Sequence, residues 1–249
     1  MKKVEVSFSP ILYPHKLIKT DFNVVIVDIF RATTSICAAL DFGIERIIPV
    51  GALEEAQKHK KNGLLVACER NGQLLEFADL GNSPSDFQKK HLSGQKIVFS
   101  TTNGTKAIHL ANDADHILIG SFINLNALAQ HLSALDQDVV ILCAGWKKLF
   151  NLEDSIFAGA LAQTLISNYN FTTECDAAKA GIELWEQAAN DLPGYLSIAS
   201  HRHRLKHLLS DQDYHFSLKI GISPVVPEFQ NNEIMDQATV KKLLNSRRY

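Results

Sequence analysis

Short apolar runs alternate with longer amphipathic ones along most of the chain, and the two periods predict alternating strands and helices. Residues 4–8 alternate polar and apolar like a half-buried strand, whereas 23–29 form a nearly continuous β-branched run, as in a strand covered on both faces. Further strands are predicted at 46–50, 64–68, 97–99, 117–119 and 139–142. Between them lie helical patterns at 35–42, ended by Gly43, at 52–61, closed by Asn62-Gly63, around Ala107, and at 127–132. From Asn151 the pattern turns more helical, with helices predicted to about Tyr169, over 173–189 and over 201–209. Val225 and Val226, flanked by Pro224 and Pro227, read as an edge strand, and the basic stretch 241–249 as a fraying end. The expected fold is α/β: three α/β/α layers on a largely parallel sheet with a more helical C-terminal region. It forms one unit over 1–249, with a soft boundary near 145–150 that could separate a pair of subdomains.

Five of the strands in the first 150 residues run into something polar or tight: Asp28, Glu69-Arg70, Ser100 to Thr105, Ser121 with Asn124, and Cys143-Ala144-Gly145. Ligands of open parallel sheets bind beyond the carboxyl ends of the strands, so Asp28, Glu69, Thr102 and Gly145 are expected to converge. In Ser100-Thr101-Thr102-Asn103-Gly104-Thr105, hydroxyls, an amide and a glycine stand before a helix expected from near Lys106. Such a turn either caps the helix or binds an oxyanion, since both use the same donors. The stretch 69–84 has no clear period and reads as a functional loop.

Asp28 closes an apolar strand, where a carboxylate is costly to desolvate without a metal, a cation or donors. Arg31 is its nearest partner in sequence, so an Asp28–Arg31 pair or a cap competes with a catalytic or metal role. Glu153 and Asp154 sit together at a helix start, where the dipole favours them as caps; their closeness to Gly145 also makes them ligand candidates. Glu69 and Arg70 could orient a metal and an anion together, or form a solvated pair. His203 and His207, four apart, could make half a metal site, but no Glu lies between them in a metalloprotease spacing. Cys143 reads as a packed thiol.

Composition narrows the classes. A net charge of −2 and a pI near 6.5 leave no basic field for a polyanion, which argues against nucleic acid. The four cysteines show no CxxC spacing, which disfavours zinc and suits reduced thiols in a cytoplasmic protein. No run approaches membrane-spanning length. GxxxxGK[ST], GxGxxG and GxSxG are all absent, and Asp28-Ile29-Phe30-Arg31 lacks the second aspartate of haloacid-dehalogenase phosphatases.

Several motifs in order resemble the 2-phosphosulfolactate phosphatase family: residues 27–34, Glu69-Arg70, residues 80–84, Ser100 to Thr105, residues 124–127, Cys143-Ala144-Gly145 and Leu152-Glu153-Asp154. Asp176-Ala177-Ala178, Ser200-His201 and Arg204-Leu205 add to the likeness. Asn71 stands where the family tends to have a second glycine, and Trp146-Lys147-Lys148 is bulkier and more basic than usual there. The resemblance implies a Mg²⁺-dependent hydrolase of coenzyme M biosynthesis acting on a small phosphorylated anion, 2-phospho-3-sulfolactate, with homo-oligomerisation compatible with it. With that reaction, the residues chosen for catalysis are Asp28, Arg31, Glu69 and Arg70, with the metal expected on Asp28, completed by Glu153 or Asp154. Substrate contacts would come from Thr33, Thr34, Asn82, Ser83, Thr101, Thr102, Asn103, Gly104, Thr105 and Asn124, and sulfonate donors from the loop 72–83 or from Lys147 and Lys148. Whether Asp28 or a water attacks phosphorus stays open. Two other readings compete: a non-catalytic anion binder on the same fold, and a phosphatase of the family with a different small ester.

Overall fold

A computed structural model describes residues 1–70, 73–101, 104–205 and 208–240. The described strands are β1 (Lys2–Ser7), β2 (Phe22–Val27), β3 (Arg46–Pro49), β4 (Leu65–Arg70), β5 (Gln73–Leu74), β6 (Lys96–Ser100), β7 (His116–Gly120), β8 (Asp138–Cys143), β9 (Phe171–Thr172), β10 (Pro227–Gln230) and β11 (Glu233–Asp236). They form one sheet in the order β5-β4-β6-β3-β11-β10-β7-β2-β8-β1-β9. Helices α1 (Ala32–Asp41), α2 (Leu53–Lys61), α3 (Gly104–Leu110), α4 (Leu125–Leu135), α5 (Leu152–Tyr169) and α6 (Asp176–Ala188) cover it. Three short helices follow: α7 (Leu192–Leu196), α8 (Ser200–Arg204) and α9 (Asp211–Ser217).

The β-branched run of β2 shows why the layers number three. Val25 and Val27 pack in one core with residues of α4, α5 and α6, while Val24 and Ile26 pack in another with residues of α1 and α3. Successive strand side chains point to opposite faces, so a strand apolar at every position must be covered twice.

The sheet is not parallel throughout. β9, β1, β8, β2 and β7 form one parallel block, and β3, β6 and β4 another. The β10–β11 hairpin lies between them and is antiparallel to each neighbour. This corrects the expected edge strand at Val225 and Val226. Pro227 lacks the N–H a ladder needs but is tolerated as a first strand residue, while the Val226 N–H is taken by the Asp236 carboxylate at 2.9 Å. Asn231 and Asn232, both left-handed (φ 53° and 64°), form the tight turn that returns the chain into mid-sheet. The two blocks therefore run in formally opposite senses, and twist brings their ends back together. Five steps from β2 to β6 at about 20–25° each leave those strands roughly 55–80° from parallel.

Other boundaries also move. Helix α3 begins at Gly104, and α1 reaches back to Ala32. The helix expected from 173 starts at Asp176, after the edge strand β9 pairs with β1. Of the helix expected over 201–209, only α8 forms, with Lys206 and His207 outside the described residues. No described helix is long and apolar enough to cross a membrane.

Helices α5 and α6 meet at two glycines. A Cβ built on Gly159 would lie 1.8 Å from the Gly181 carbonyl oxygen, so the backbones approach as closely as glycine permits. Gly159→Ala must force the helices apart and should cost about 1–3 kcal/mol, read as a lower urea midpoint with an unchanged slope.

Candidate active site

The turn after β2 is fixed by its own side chains. Thr33 Oγ1 accepts from the Asp28 N–H at 3.0 Å, the Thr33 N–H donates to the Asp28 carbonyl at 2.9 Å, and Thr34 Oγ1 donates to the Ile29 carbonyl at 3.0 Å. The two threonines proposed as substrate contacts thus shape the turn that presents Asp28. The Asp28 carboxylate is buried. Burial pushes its pKa up to about 6; His201 opposes this, and the negative charges of Glu69 and Glu153 add to it.

The turn after β6 arrives at the same place. A Cβ on Gly104 would lie 2.7 Å from Ala32 Cβ and 3.3 Å from Asp28 Oδ2, so this glycine lets the start of α3 close onto the carboxylate. Thr105 Oγ1 donates to the Thr101 carbonyl at 3.0 Å, so one hydroxyl of the stretch serves the helix start itself. Thr102 and Asn103 lie outside the described residues.

Arg31 does not close on Asp28 as the paired reading required. Its Nη1 donates to Ser83 Oγ at 2.9 Å and to the Leu208 carbonyl at 3.0 Å. The buried guanidinium lies in the field of Glu69, Asp86, Asp28 and Asp213, though desolvation still lowers its pKa. Arg70 is held by Ser100 Oγ at 2.9 Å, by the Gly51 carbonyl at 3.2 Å and by the Glu69 carbonyl at 2.7 Å, which fastens the end of β4 to β6. The Asn82 carbonyl accepts from Ser35 Oγ at 2.8 Å, and its side-chain Oδ1 is buried without a hydrogen-bond partner. Asn124 spends its amide on the backbone of Ser121, Ile119 and Val225, which places it as a fold contact.

Glu153 and Asp154 are fully buried, and neither caps its own helix. Asp154 reaches out of α5: Oδ1 accepts from the Ile29 N–H at 2.9 Å and Oδ2 from the Gly145 N–H at 3.2 Å. Burial, then the charges of Glu153 and Asp28, hold its pKa well above the carboxylate range. Oε1 of Glu153 faces His201 Nδ1 at 2.6 Å and accepts from Asn151 Nδ2 at 3.0 Å, whereas Oε2 has no partner. Among the described residues no three His, Cys, Asp or Glu side chains gather closely enough to hold a metal alone. Of the set Asp28, Glu153 and Asp154, the last already accepts a backbone N–H on each of its oxygens.

Four buried carboxyl groups, Asp28, Glu69, Glu153 and Asp154, thus gather with Arg31 and His201 at these strand ends. Across residues 8–232 the sequence matches the family model of 2-phosphosulpholactate phosphatase. The chain belongs to the 2-phosphosulpholactate phosphatase family. Its relatives include proteins named as probable 2-phosphosulfolactate phosphatases. That of Caldanaerobacter subterraneus subsp. tengcongensis is 36% identical over 84% of this chain and 88% of its own length. The protein of Thermotoga petrophila is 36% identical over 83% and 88%, and that of Carboxydothermus hydrogenoformans 37% over 91% and 92%.

Within this family member the residue that pattern reading passed over is His201. Attention to His203 and His207 rested on their spacing, yet His203 is exposed, while buried His201 joins the carboxylates. Its only sequence signal was the Ser200-His201 pair. Cys143, fully buried, has its thiol pKa raised well above the ordinary value by desolvation and by Asp154 and Glu153, as a packed thiol should.

The raised Asp28 pKa carries a stability consequence. A folded-state pKa near 6 against an ordinary 3.8 favours folding while the group is protonated, and that advantage is lost as pH rises from about 4 through 6. In chelator, Asp28→Asn should therefore be more stable than the parent at pH 8 and lose that gain by pH 4; urea midpoints at both values decide it.

Proposed function

We propose that this chain is a Mg²⁺-dependent phosphomonoester hydrolase that cleaves 2-phosphosulfolactate to sulfolactate and phosphate, working in the cytoplasm in the supply of coenzyme M. The observation that carries this reading is the unpartnered Oε2 of Glu153 within a buried set that also holds Asp28 and Glu69. A buried anionic oxygen without a donor is expensive, and a hard divalent cation is the group it suits. Asp28 and Glu153 would hold it, with waters and substrate oxygens filling the remaining positions, as Mg²⁺ prefers few carboxylates. When bound, the ion would neutralise charge on the phosphoryl oxygens.

The chain's own groups supply the rest. His201 and Asn151 occupy one oxygen of Glu153 and so leave the other directed away from them, the outer-shell role that orients a ligand. The Arg31 guanidinium, fixed by Ser83 and Leu208, brings a planar set of donors suited to phosphoryl oxygens. Gly104, at the start of α3, stands against Asp28 with Thr101 beside it, so an ester bound there would lie between this turn and the carboxylates.

Hydrolysis of 2-phosphosulfolactate with Mg²⁺ and its loss in chelator is the direct test, and no release of phosphate in either condition would overturn the reading. Asp28→Asn should lower kcat/KM by about 10²–10³-fold or more while far-UV circular dichroism is unchanged. His201→Ala should weaken the apparent Mg²⁺ affinity about 10–100-fold, with much of kcat regained at saturating Mg²⁺; a loss that added Mg²⁺ leaves untouched would remove His201 from this role.

A further inference from the structure

The loop after β8 breaks a local rule at the rim of this site. The Trp146 N–H donates to the Leu149 carbonyl at 3.1 Å and the Leu149 N–H returns to the Trp146 carbonyl at 2.9 Å, which closes a two-residue hairpin. Its central residues, Lys147 and Lys148, both have positive φ, 51° and 68°. A turn of this kind favours Asn-Gly, because left-handed backbone is unfavourable for residues with long side chains. Two lysines there raise both the strain and the local positive charge.

The hairpin is tied to the catalytic groups on two sides. Gly145, the residue before it, donates to Asp154, and the Arg204 guanidinium lies 4.0 Å from the centre of the Trp146 ring. Arg204 is one turn beyond His201 on α8, so the two share a helix face. The Lys147 ammonium lies 4.6 Å from the same indole, while Phe150 packs edge-on to Phe8 at 5.5 Å and anchors the far side of the loop. Lys147, Lys148 and Arg204 make no ion pair with any described carboxylate, whereas Arg202, on the same short helix, pairs with Asp211 at 2.8 Å. Two cations, Lys147 and Arg204, thus lie over one aromatic ring, and Lys148 follows in the same turn, beside a pocket lined by carboxyl groups.

Building on the phosphatase reading, we propose that Lys147 and Arg204, over the Trp146 ring, and Lys148, next in the turn, form a second anion subsite that receives the non-reacting acidic end of the substrate, its sulfonate. One substrate must then bridge two unlike sites: the phosphoryl group at Asp28 and a strong-acid anion at the hairpin. Esters without a second acid would lose this anchor.

The test uses the full chain, the double variant Lys147→Asn/Lys148→Gly, which installs the turn's favoured pair, and Arg204→Gln. Thermal melting should show both folded, with the double variant at or above the parent. Binding of 3-sulfolactate, measured by calorimetry, should weaken about tenfold or more in each. The ratio of kcat/KM for 2-phosphosulfolactate over phenyl phosphate should fall by a similar factor, mainly through KM. Equal losses on both substrates, sulfolactate binding indifferent to the substitutions, or no sulfolactate binding by the parent would each overturn the subsite. If the parent hydrolyses neither ester yet binds sulfolactate in a manner these substitutions weaken, the hydrolase reading falls and the subsite stands.

Discussion

A single buried carboxylate holds the two central strand ends in register. Asp154 projects from α5 and accepts one N–H from the turn after β2 and another from the turn after β8. Among the described residues no guanidinium or ammonium pairs with it to offset its desolvation, and Asp28 and Glu153 raise its pKa further. Two amide donors are what remain to compensate, so the turns that donate them cannot drift apart without leaving a polar group unsatisfied in the core. The position of Asp28 on one turn and of the Lys147–Lys148 hairpin on the other follows from that constraint.

From this clasp the remaining pieces arrive by packing. Gly104 lets the start of α3 lie against Asp28, Ser100 fastens Arg70, and α8 brings His201 to Glu153. None of these meetings is local in sequence. The meeting of Gly104 with Asp28 depends on the twist that returns the β3-β6-β4 block toward the end of β2, and so on a sheet continuous from one block to the other.

How much of this the sequence disclosed follows from the physics of each signal. The doubly buried run of β2 and the strand ends at Asp28, Glu69, Ser100 and Gly145 were legible because periodicity and termination are local properties. The mid-sheet hairpin was not: Val225 and Val226 outweighed the Asn231-Asn232 turn, and nothing local tells a strand which neighbours it will join. Within the site, residue type singled out Asp28 and Glu153 as candidates, but orientation belongs to tertiary contacts. Thr34 and Asn124 turn to the backbone, Asp154 serves amides, and His201 gains its meaning only from Glu153, 48 residues away. Capping was a sound expectation for two acids at a helix start; the need of the two strand-end turns for an acceptor won over the helix's own first amides.

The placement of β10 and β11 has a further consequence for how the chain comes into being. The segment joining the two blocks is among the last described stretches of the chain, at Pro227–Gln230 and Glu233–Asp236. During synthesis β3 and β7, each with one flank already claimed within its own block, must wait for it with the other flank unsatisfied. Such open strand borders invite pairing with foreign chains. The ribosome thus delivers two half-sheets long before their suture, and a nascent chain stalled short of residue 227 would carry two adhesive margins instead of one closed scaffold.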